Sequence, residues 1–197
     1  MKKHIAFIFL LLLAAGVHAQ PINRKSLVQR HSIHVNKIDS LSSLSVGNGR
    51  FAFTVDATGM QSFPESYAKG VPLGTQSDWG WHSFPNTDNY KREEALRTYD
   101  LEGRKISYTV QIKEPEHAKK AVDYYRVNPH RLQLGNVGME IKKKDGTHAD
   151  ASDIKDIDQK LDLWTGIIHS KFTVEGEPVE VFTACDDQQE AVAFRII

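Results

Sequence analysis

The residues best suited to contact a ligand lie in one segment, residues 76–90, which is rich in Gly, Pro and Asn and holds two of the three tryptophans. Aromatic rings present apolar faces that can stack on the C–H faces of pyranose rings, while nearby polar groups bind sugar hydroxyls. Trp79, Trp81 and His82 are therefore the predicted substrate-binding residues, and a carbohydrate is the predicted ligand. The alternative is that these side chains fill the end of a β-sandwich or contact a neighbouring domain.

The other titratable residues do not form a recognisable catalytic set. A glycosidase needs two carboxylates that flank the scissile bond, but nothing singles out a pair among Asp145, Asp150, Asp153, Asp156, Asp158 and Asp162. A solvated acidic surface is the prediction for these aspartates. The sequence contains no nucleophile elbow, phosphate-binding loop or dinucleotide fingerprint. No catalytic residue and no cofactor are predicted.

Histidine and cysteine spacing predicts no metal site. His31 and His34 are three residues apart, which on a strand directs them to opposite faces, and no cluster of Cys or Asp completes a zinc site. Cys185 is the single cysteine and so has no intrachain disulfide partner. Because it ends an apolar run, we expect a small buried side chain rather than a nucleophile.

Residues 1–19 have the composition of a cleavable secretory signal peptide. Lys2 and Lys3 are followed by an apolar run over residues 5–17, and Ala19 precedes the predicted cleavage point. The run is too short to span a bilayer, which takes about 20 apolar residues. The sequence predicts export, with a periplasmic or secreted product beginning at Gln20.

Residues 20–197 have the length of one domain, and they carry two more acidic than basic side chains once Lys2 and Lys3 are removed. Nucleic-acid-binding surfaces are normally basic, so no nucleic-acid partner is predicted. No second apolar run of spanning length follows, so we expect no membrane segment after signal cleavage.

Period-two alternation of apolar residues predicts a mainly β chain, an antiparallel β-sandwich with minor helices. It occurs at residues 33–35, 51–55, 106–112, 179–183 and 192–196. Turns are predicted at Gly47-Asn48-Gly49, Asp145-Gly146 and Glu175-Gly176. Further predictions are helices over residues 89–98 and 114–125, an extended loop with one helical turn over 153–163, and a strand over 132–141 with a β-bulge at Gly135.

The sequence stops inside an alternating segment, residues 194–197, without a turn or a polar tail. Exposed apolar edge strands invite aggregation. We therefore expect a domain that is incomplete at its C-terminus; the alternative is a last strand held in the centre of a sheet.

Several segments resemble six-hairpin glycosidase-like proteins, in particular exported relatives of family 65 glycoside hydrolases and phosphorylases. They are residues 44–53 with the Gly-Asn-Gly turn, Asn128-Pro129-His130-Arg131-Leu132, and residues 159–166 together with Phe172 and 179–181. The resemblance runs from about residue 25 onward. It implies that residues 20–197 form a galactose-mutarotase-like β-supersandwich, which a downstream (α/α)6 barrel follows in full-length members.

In that family the glutamate general acid lies in the barrel, so the resemblance transfers no catalytic residue to this chain. It implies a non-catalytic N-terminal β-domain, expected to be a fragment of an exported enzyme whose activity is glycoside hydrolysis, with phosphorolysis left open. The alternatives are a stand-alone carbohydrate-binding module and a structural domain without a ligand.

Overall fold

The computed structural model describes residues 21–197; the predicted signal peptide, residues 1–19, lies outside the described part. Within residues 21–197 the chain forms two α-helices, α1 (Arg24–Gln29) and α2 (Glu116–Val127), and twelve strands. The strands are β1 Ile33–Val35, β2 Leu44–Gly47, β3 Phe51–Val55, β4 Thr75–Ser77, β5 Trp81–His82, β6 Leu96–Leu101, β7 Arg104–Thr109, β8 His130–Arg131, β9 Ile154–Asp162, β10 Ile167–Val174, β11 Glu177–Cys185 and β12 Val192–Ile196.

Two antiparallel sheets form the core of the fold. The larger has the order β1-β9-β10-β11-β12 and the smaller the order β2-β3-β4. Alternate residues of β2 and β3 are buried because their side chains meet Ile168 of the larger sheet. The prediction of a mainly β, antiparallel sandwich is confirmed.

A second apolar cluster lies on the same inner face of the larger sheet. It consists of Met60, Ile154, Phe172, Val174 and Val181. No strand of the smaller sheet covers it; the loop over residues 139–149 does so with partly buried side chains. The core therefore continues past the smaller sheet under irregular structure.

The segment 56–62 is buried against the larger sheet and is bonded to it through polar side chains. The Gln159 amide donates hydrogen bonds to the Asp56 carbonyl (2.7 Å) and to the Ser170 hydroxyl (2.9 Å). The Thr183 hydroxyl donates one to the Gly59 carbonyl (2.5 Å). Buried backbone groups need such partners, which explains Gln159 and Thr183 on the inner face of this sheet; the Ser170 hydroxyl serves the buried Gln159 side chain.

The predicted turns at 47–49, 145–146 and 175–176 are present, and the first also joins the two sheets. The Asn48 side-chain oxygen accepts hydrogen bonds from the Arg50 and Phe51 amides. Its side-chain nitrogen donates to the carbonyls of Asp186 and Gln189, in the connection between β11 and β12. One asparagine therefore closes the β2–β3 hairpin and fastens it to the opposite sheet.

The helix predicted over residues 114–125 is confirmed as α2, but the other helix is wrong. Residues 92–95 form a short 3-10 helix and residues 96–101 form β6, which pairs with β7 over six residue pairs. The predicted loop over 153–163 is also wrong, since residues 154–162 form β9. Its charged residues are tolerated because they alternate with inward residues such as Gln159 between β1 and β10.

One further strand prediction, over residues 132–141, is wrong, and another, over residues 106–112, is too long. Within residues 132–141 no strand forms, so Gly135 (φ +131°) marks no bulge. The amides of this segment make isolated hydrogen bonds instead, as Leu132 N does to the Gly80 carbonyl and Leu134 N to the carbonyl of Thr75 in β4. Strand β7 ends at Thr109, and the β6–β7 hairpin is largely exposed rather than half-buried.

Strand β12 lies at an edge of the larger sheet, not at its centre. Cys185, in the neighbouring strand β11, is partly buried and contacts the core formed by β2 and β3. Burial, followed by the charge of Asp186, raises the pKa of its thiol. This agrees with a packing role for Cys185.

We predict that Gly59→Ala destabilises the fold far more than Gly103→Ala. Both glycines have φ +81°, where a side chain costs about 1–2 kcal/mol. A Cβ on Gly59 would also lie 2.6 Å from the Ser170 hydroxyl oxygen, whereas nothing lies within 4 Å at Gly103. Urea unfolding should show an additional loss of about 1–3 kcal/mol for Gly59→Ala. Equal losses would contradict this account of the buried segment.

We also predict a pH signature from Asp56, which is 1% exposed. Burial raises the pKa of its carboxyl, and hydrogen bonds from Thr58 and Phe63 only partly oppose this. A raised folded-state pKa adds stability that is full below the unfolded pKa, about 3.9, and is lost as pH rises through the folded pKa. The unfolding free energy of the wild type minus that of Asp56→Asn should therefore fall as pH rises between these two pKa values, with a slope of at most about 1.4 kcal/mol per pH unit.

Asp150 provides a control of opposite sign for that experiment. A hydrogen bond from the Ser152 side chain, then one from its amide, lowers the pKa of the exposed Asp150 carboxyl. The wild type should therefore lose stability relative to Asp150→Asn as pH falls through that lowered pKa. The same trend for both variants would contradict the assignment of Asp56.

Candidate functional site

The short β5–β8 ladder places the predicted residues Trp81 and His82 on opposite faces. Trp81 pairs with Arg131, and His82 pairs with His130. Directly paired residues share a face and successive residues alternate, so Trp81 and Arg131 lie on one face, which we call the front face. His82 and His130 lie on the back face, with ring centroids 5.3 Å apart. The structure therefore does not bring the predicted site together as one cluster.

Trp79 and Trp81 are among the most exposed large side chains, at 68% and 59%. This exposure is incompatible with tryptophans that fill the end of the sandwich. The residue between them, Gly80, is buried, and a Cβ there would lie 2.8 Å from the Leu134 side chain. Leu134 and Leu132 are themselves exposed, so this part of the surface is apolar.

Charged groups on the front face form a connected set. An Arg131 guanidinium nitrogen lies 2.7 Å from an Asp78 carboxylate oxygen, and another donates a hydrogen bond to the Ser77 carbonyl (3.0 Å). Arg50 approaches the other Asp78 oxygen at 3.9 Å and Glu190 at 3.5 Å. Donors and acceptors therefore stand together beside Trp81, as a polyhydroxylated ligand requires.

The front-face charges border a cleft of about 310 Å³. Residues of the β2–β3 turn form one wall, and Gln76, Asp78 and Arg131 form the other. The volume is at the lower end of the range typical of small-molecule sites, about 300–1,000 Å³. The cleft is thus large enough for one sugar ring; Trp79 and Trp81 do not line it, and its connection to them is through Asp78 and Arg131.

Aromatic rings on the back face form a second group. The Phe84 ring contacts the Tyr124 ring of α2 at a centroid distance of 5.5 Å, and the Tyr90 ring lies 5.4 Å from that of Tyr124. His82 adjoins this group through Phe84, at 6.2 Å. Desolvation, followed by a hydrogen bond to Asp88, raises the pKa of the Tyr90 hydroxyl, so the hydroxyl stays protonated near neutral pH.

Two asparagines hold the back-face segment in place. Asn128, just after α2, accepts a hydrogen bond from the Phe84 amide (3.1 Å) and donates one to its carbonyl (2.9 Å). Asn86 does the same for Tyr90, at 2.9 and 2.8 Å. The Tyr125 hydroxyl also donates to the Tyr90 carbonyl (2.7 Å). The segment 84–90 is therefore fixed against α2.

Sequence reasoning missed most of these supporting residues. Arg131 and Asn128 lie about 50 positions from the loop they hold, and only the fold brings them near it. Asp78, by contrast, is adjacent to Trp79 and could have been noted as its polar neighbour. The helix α2 was predicted, but nothing in its sequence showed that Tyr124 and Tyr125 face the loop.

The aspartates at 145–162 bond to other parts of the protein: Asp145 and Asp150 to neighbouring residues, Asp158 to His34 and Asp162 to Gln29. Asp145 and Asp150 accept hydrogen bonds from Thr147 and Ser152, which lower the pKa of each carboxyl. Across residues 21–197, no three His, Cys, Asp or Glu side chains are grouped so as to hold a metal ion. No helix in the described part of the chain is long and apolar enough to cross a membrane.

Comparisons of the chain with protein-family models, with curated proteins and with solved structures give no match. What the chain does must therefore be argued from its own residues and from their arrangement.

We predict that Asn128→Ala loosens the loop that forms the back face. The substitution removes both hydrogen bonds to Phe84 and leaves its amide and carbonyl without those partners, at a cost of about 2–3 kcal/mol. Hydrogen exchange at the Phe84 amide should accelerate at least tenfold. Asn136→Ala, which loses one exposed contact with Gln133, is the matched control and should leave that exchange unchanged. Equal exchange rates at the Phe84 amide in both variants would contradict the role of Asn128 in holding this loop.

Proposed function

We propose that this chain is the non-catalytic N-terminal β-domain of an exported carbohydrate-active enzyme, and that it contacts carbohydrate through Trp79 and Trp81. The observation that carries the proposal is the exposure of both tryptophans beside the ion pair of Asp78 and Arg131. Large exposed aromatic side chains are unfavourable on an ordinary surface and mark binding sites. The ion pair supplies polar groups for hydroxyls at the same place.

The resemblance to six-hairpin glycosidase-like proteins supports the same proposal, and its motifs include residues that hold this fold together. Asn48 of the Gly-Asn-Gly turn joins the two sheets, and Asn128 fastens the loop 84–90. Under this proposal, glycoside hydrolysis belongs to a downstream (α/α)6 domain and the present chain is inactive alone. The signal-like residues 1–19 support an exported protein.

A docking role is the second candidate function. Leu132 and Leu134 are 43% and 36% exposed and lie next to Gly80, so they extend the tryptophan surface with aliphatic side chains. A surface of this kind also suits contact with another domain.

A stand-alone carbohydrate-binding module would use Trp79 and Trp81 in the way proposed here, without an attached enzyme.

We predict that Trp79→Ala and Trp81→Ala each weaken glycan binding by about tenfold or more, because each removes one stacking surface. Binding is measured on a glycan array and then by titration with the best ligand. Trp164→Ala is the matched control, since Trp164 is 47% exposed but lies in the turn between β9 and β10. Its binding should equal that of the wild type.

Three outcomes separate the candidates. Binding that survives both substitutions contradicts the proposed site. No binding to any glycan favours the docking role. Glycoside turnover by the 197-residue chain itself would overturn the assignment as a non-catalytic domain.

A further inference from the structure

The groove on the back face lies between the segment 84–90 and α2 and has a volume of about 540 Å³. We infer that it is a second saccharide site, which binds a neutral pyranose unit independently of the tryptophans. The inference shares the carbohydrate ligand of the proposed function but rests on different residues. The volume lies within the range of about 300–1,000 Å³ that is typical of small-molecule sites.

The walls of the groove offer aromatic faces to a ligand. The Phe84 and Tyr124 rings are nearly perpendicular, with 86° between their planes. Tyr124 also contacts the Tyr90 and Tyr125 rings, at centroid distances of 5.4 and 5.1 Å, so Phe84 is the more accessible ring of this wall. Phe84 is 37% exposed and Tyr124 is partly buried. A sugar ring can therefore stack here without displacing a core side chain.

The charges around the groove balance. Asp88 and Asp123 face it together with Lys120 and Arg126, and all four residues are exposed. Two carboxylates and two cations give no net attraction for an anion such as phosphate, or for a cation. They do supply acceptors and donors, and a sugar hydroxyl can serve as either. The lining therefore matches an uncharged polyhydroxylated ligand.

Part of this hydrogen-bonding capacity is not used within the protein. Asp123 makes no side-chain hydrogen bond or ion pair with any residue in 21–197, and Asp88 receives one hydrogen bond, from the Tyr90 hydroxyl at 3.0 Å. Sugar hydroxyls would bond to carboxylate oxygens that are already accessible. Binding need not break an existing contact in the groove.

The groove is also held in its shape before any ligand arrives. Asn128 binds the loop at Phe84 and Tyr125 binds it at Tyr90, while Asn86 closes the turn between residues 86 and 90. The Tyr124 hydroxyl donates a further hydrogen bond to the Phe84 carbonyl (3.3 Å). A ligand therefore loses little free energy in ordering its site, which favours affinity. This fixed loop distinguishes the groove from the exposed tyrosines of the β6–β7 hairpin, Tyr99 and Tyr108.

The test is a titration of the ¹⁵N-labelled chain with maltotriose, cellotriose, xylotriose and laminaritriose, each followed by two-dimensional NMR. The amides of Asp88, Asp123 and Tyr124 report on the groove, and the indole N–H groups of Trp79 and Trp81 report on the front face. At least one of these trisaccharides should give saturable shifts at the groove amides. Inorganic phosphate should give none.

Variants assign the binding to the groove. Tyr124→Ala should weaken it by about tenfold, the usual effect of losing one stacking ring. Asp123→Asn, a conservative change at an exposed side chain that leaves the fold intact, should also weaken it. Trp81→Ala and Tyr99→Ala should leave it unchanged; Tyr99, which is 40% exposed on β6, is the matched tyrosine control.

Four outcomes overturn the inference. They are the absence of groove shifts with all four saccharides, shifts caused by phosphate alone, groove binding unchanged in both Tyr124→Ala and Asp123→Asn, and groove binding lost in Trp81→Ala. Shifts confined to the indole groups of Trp79 and Trp81 would contradict a saccharide site in the groove and would leave the proposed function intact. Shifts confined to the groove amides would support the groove and would contradict carbohydrate binding by Trp79 and Trp81.

Discussion

The rest of the structure depends on the burial of segment 56–62 against the larger sheet. A buried loop must find partners for its backbone groups, since each unpaired group costs about 1–3 kcal/mol. Here Gln159 of β9 and Thr183 of β11 supply such partners, and Ser170 of β10, between them, accepts a second hydrogen bond from Gln159. The inner face of the larger sheet therefore carries polar residues among its apolar ones. Their hydrogen bonds fix the position of segment 56–62 on the sheet.

The same segment is connected to the candidate site through Gln61. Its side-chain nitrogen donates to the Thr54 carbonyl (2.9 Å), and its side-chain oxygen accepts from the Val137 amide (3.0 Å). Residues 132–137 are thereby tied to β3, and the adjoining β8 pairs with β5. The two-residue β5–β8 ladder is too short to be stable alone, so its geometry depends on these ties and on the ion pair of Arg131 with Asp78.

The two faces of the β5–β8 ladder both combine aromatic rings with charged side chains, but from different residues. The front face combines Trp81 with an arginine–aspartate pair, whose aspartate precedes Trp79 in the chain, and the back face combines Phe84 and Tyr124 with balanced charges at a groove. Under our proposals, both bind uncharged, polyhydroxylated ligands through polar groups that are held in ion pairs or are exposed to water. Where a pKa is raised by deep burial, at Asp56, the carboxyl belongs to the core and not to either face.

The sequence by itself determined the mainly β architecture, because alternation and turn residues act locally: Asn48, Gly176 and the apolar positions of β3 lie where their chemistry requires. It also selected the tryptophans and His82 by residue type. Only the tertiary structure decided that Trp81 and His82 face opposite ways, since that follows from pairing with Arg131 and His130 about 50 residues away. The charged residues of β9 prevented its recognition as a strand in the sequence, because its strand conformation comes from pairing with β1 and β10 rather than from propensity. Alternation over residues 132–141 suggested a strand, but its amides make isolated hydrogen bonds to distant residues such as Thr75 and Gly80 rather than a ladder.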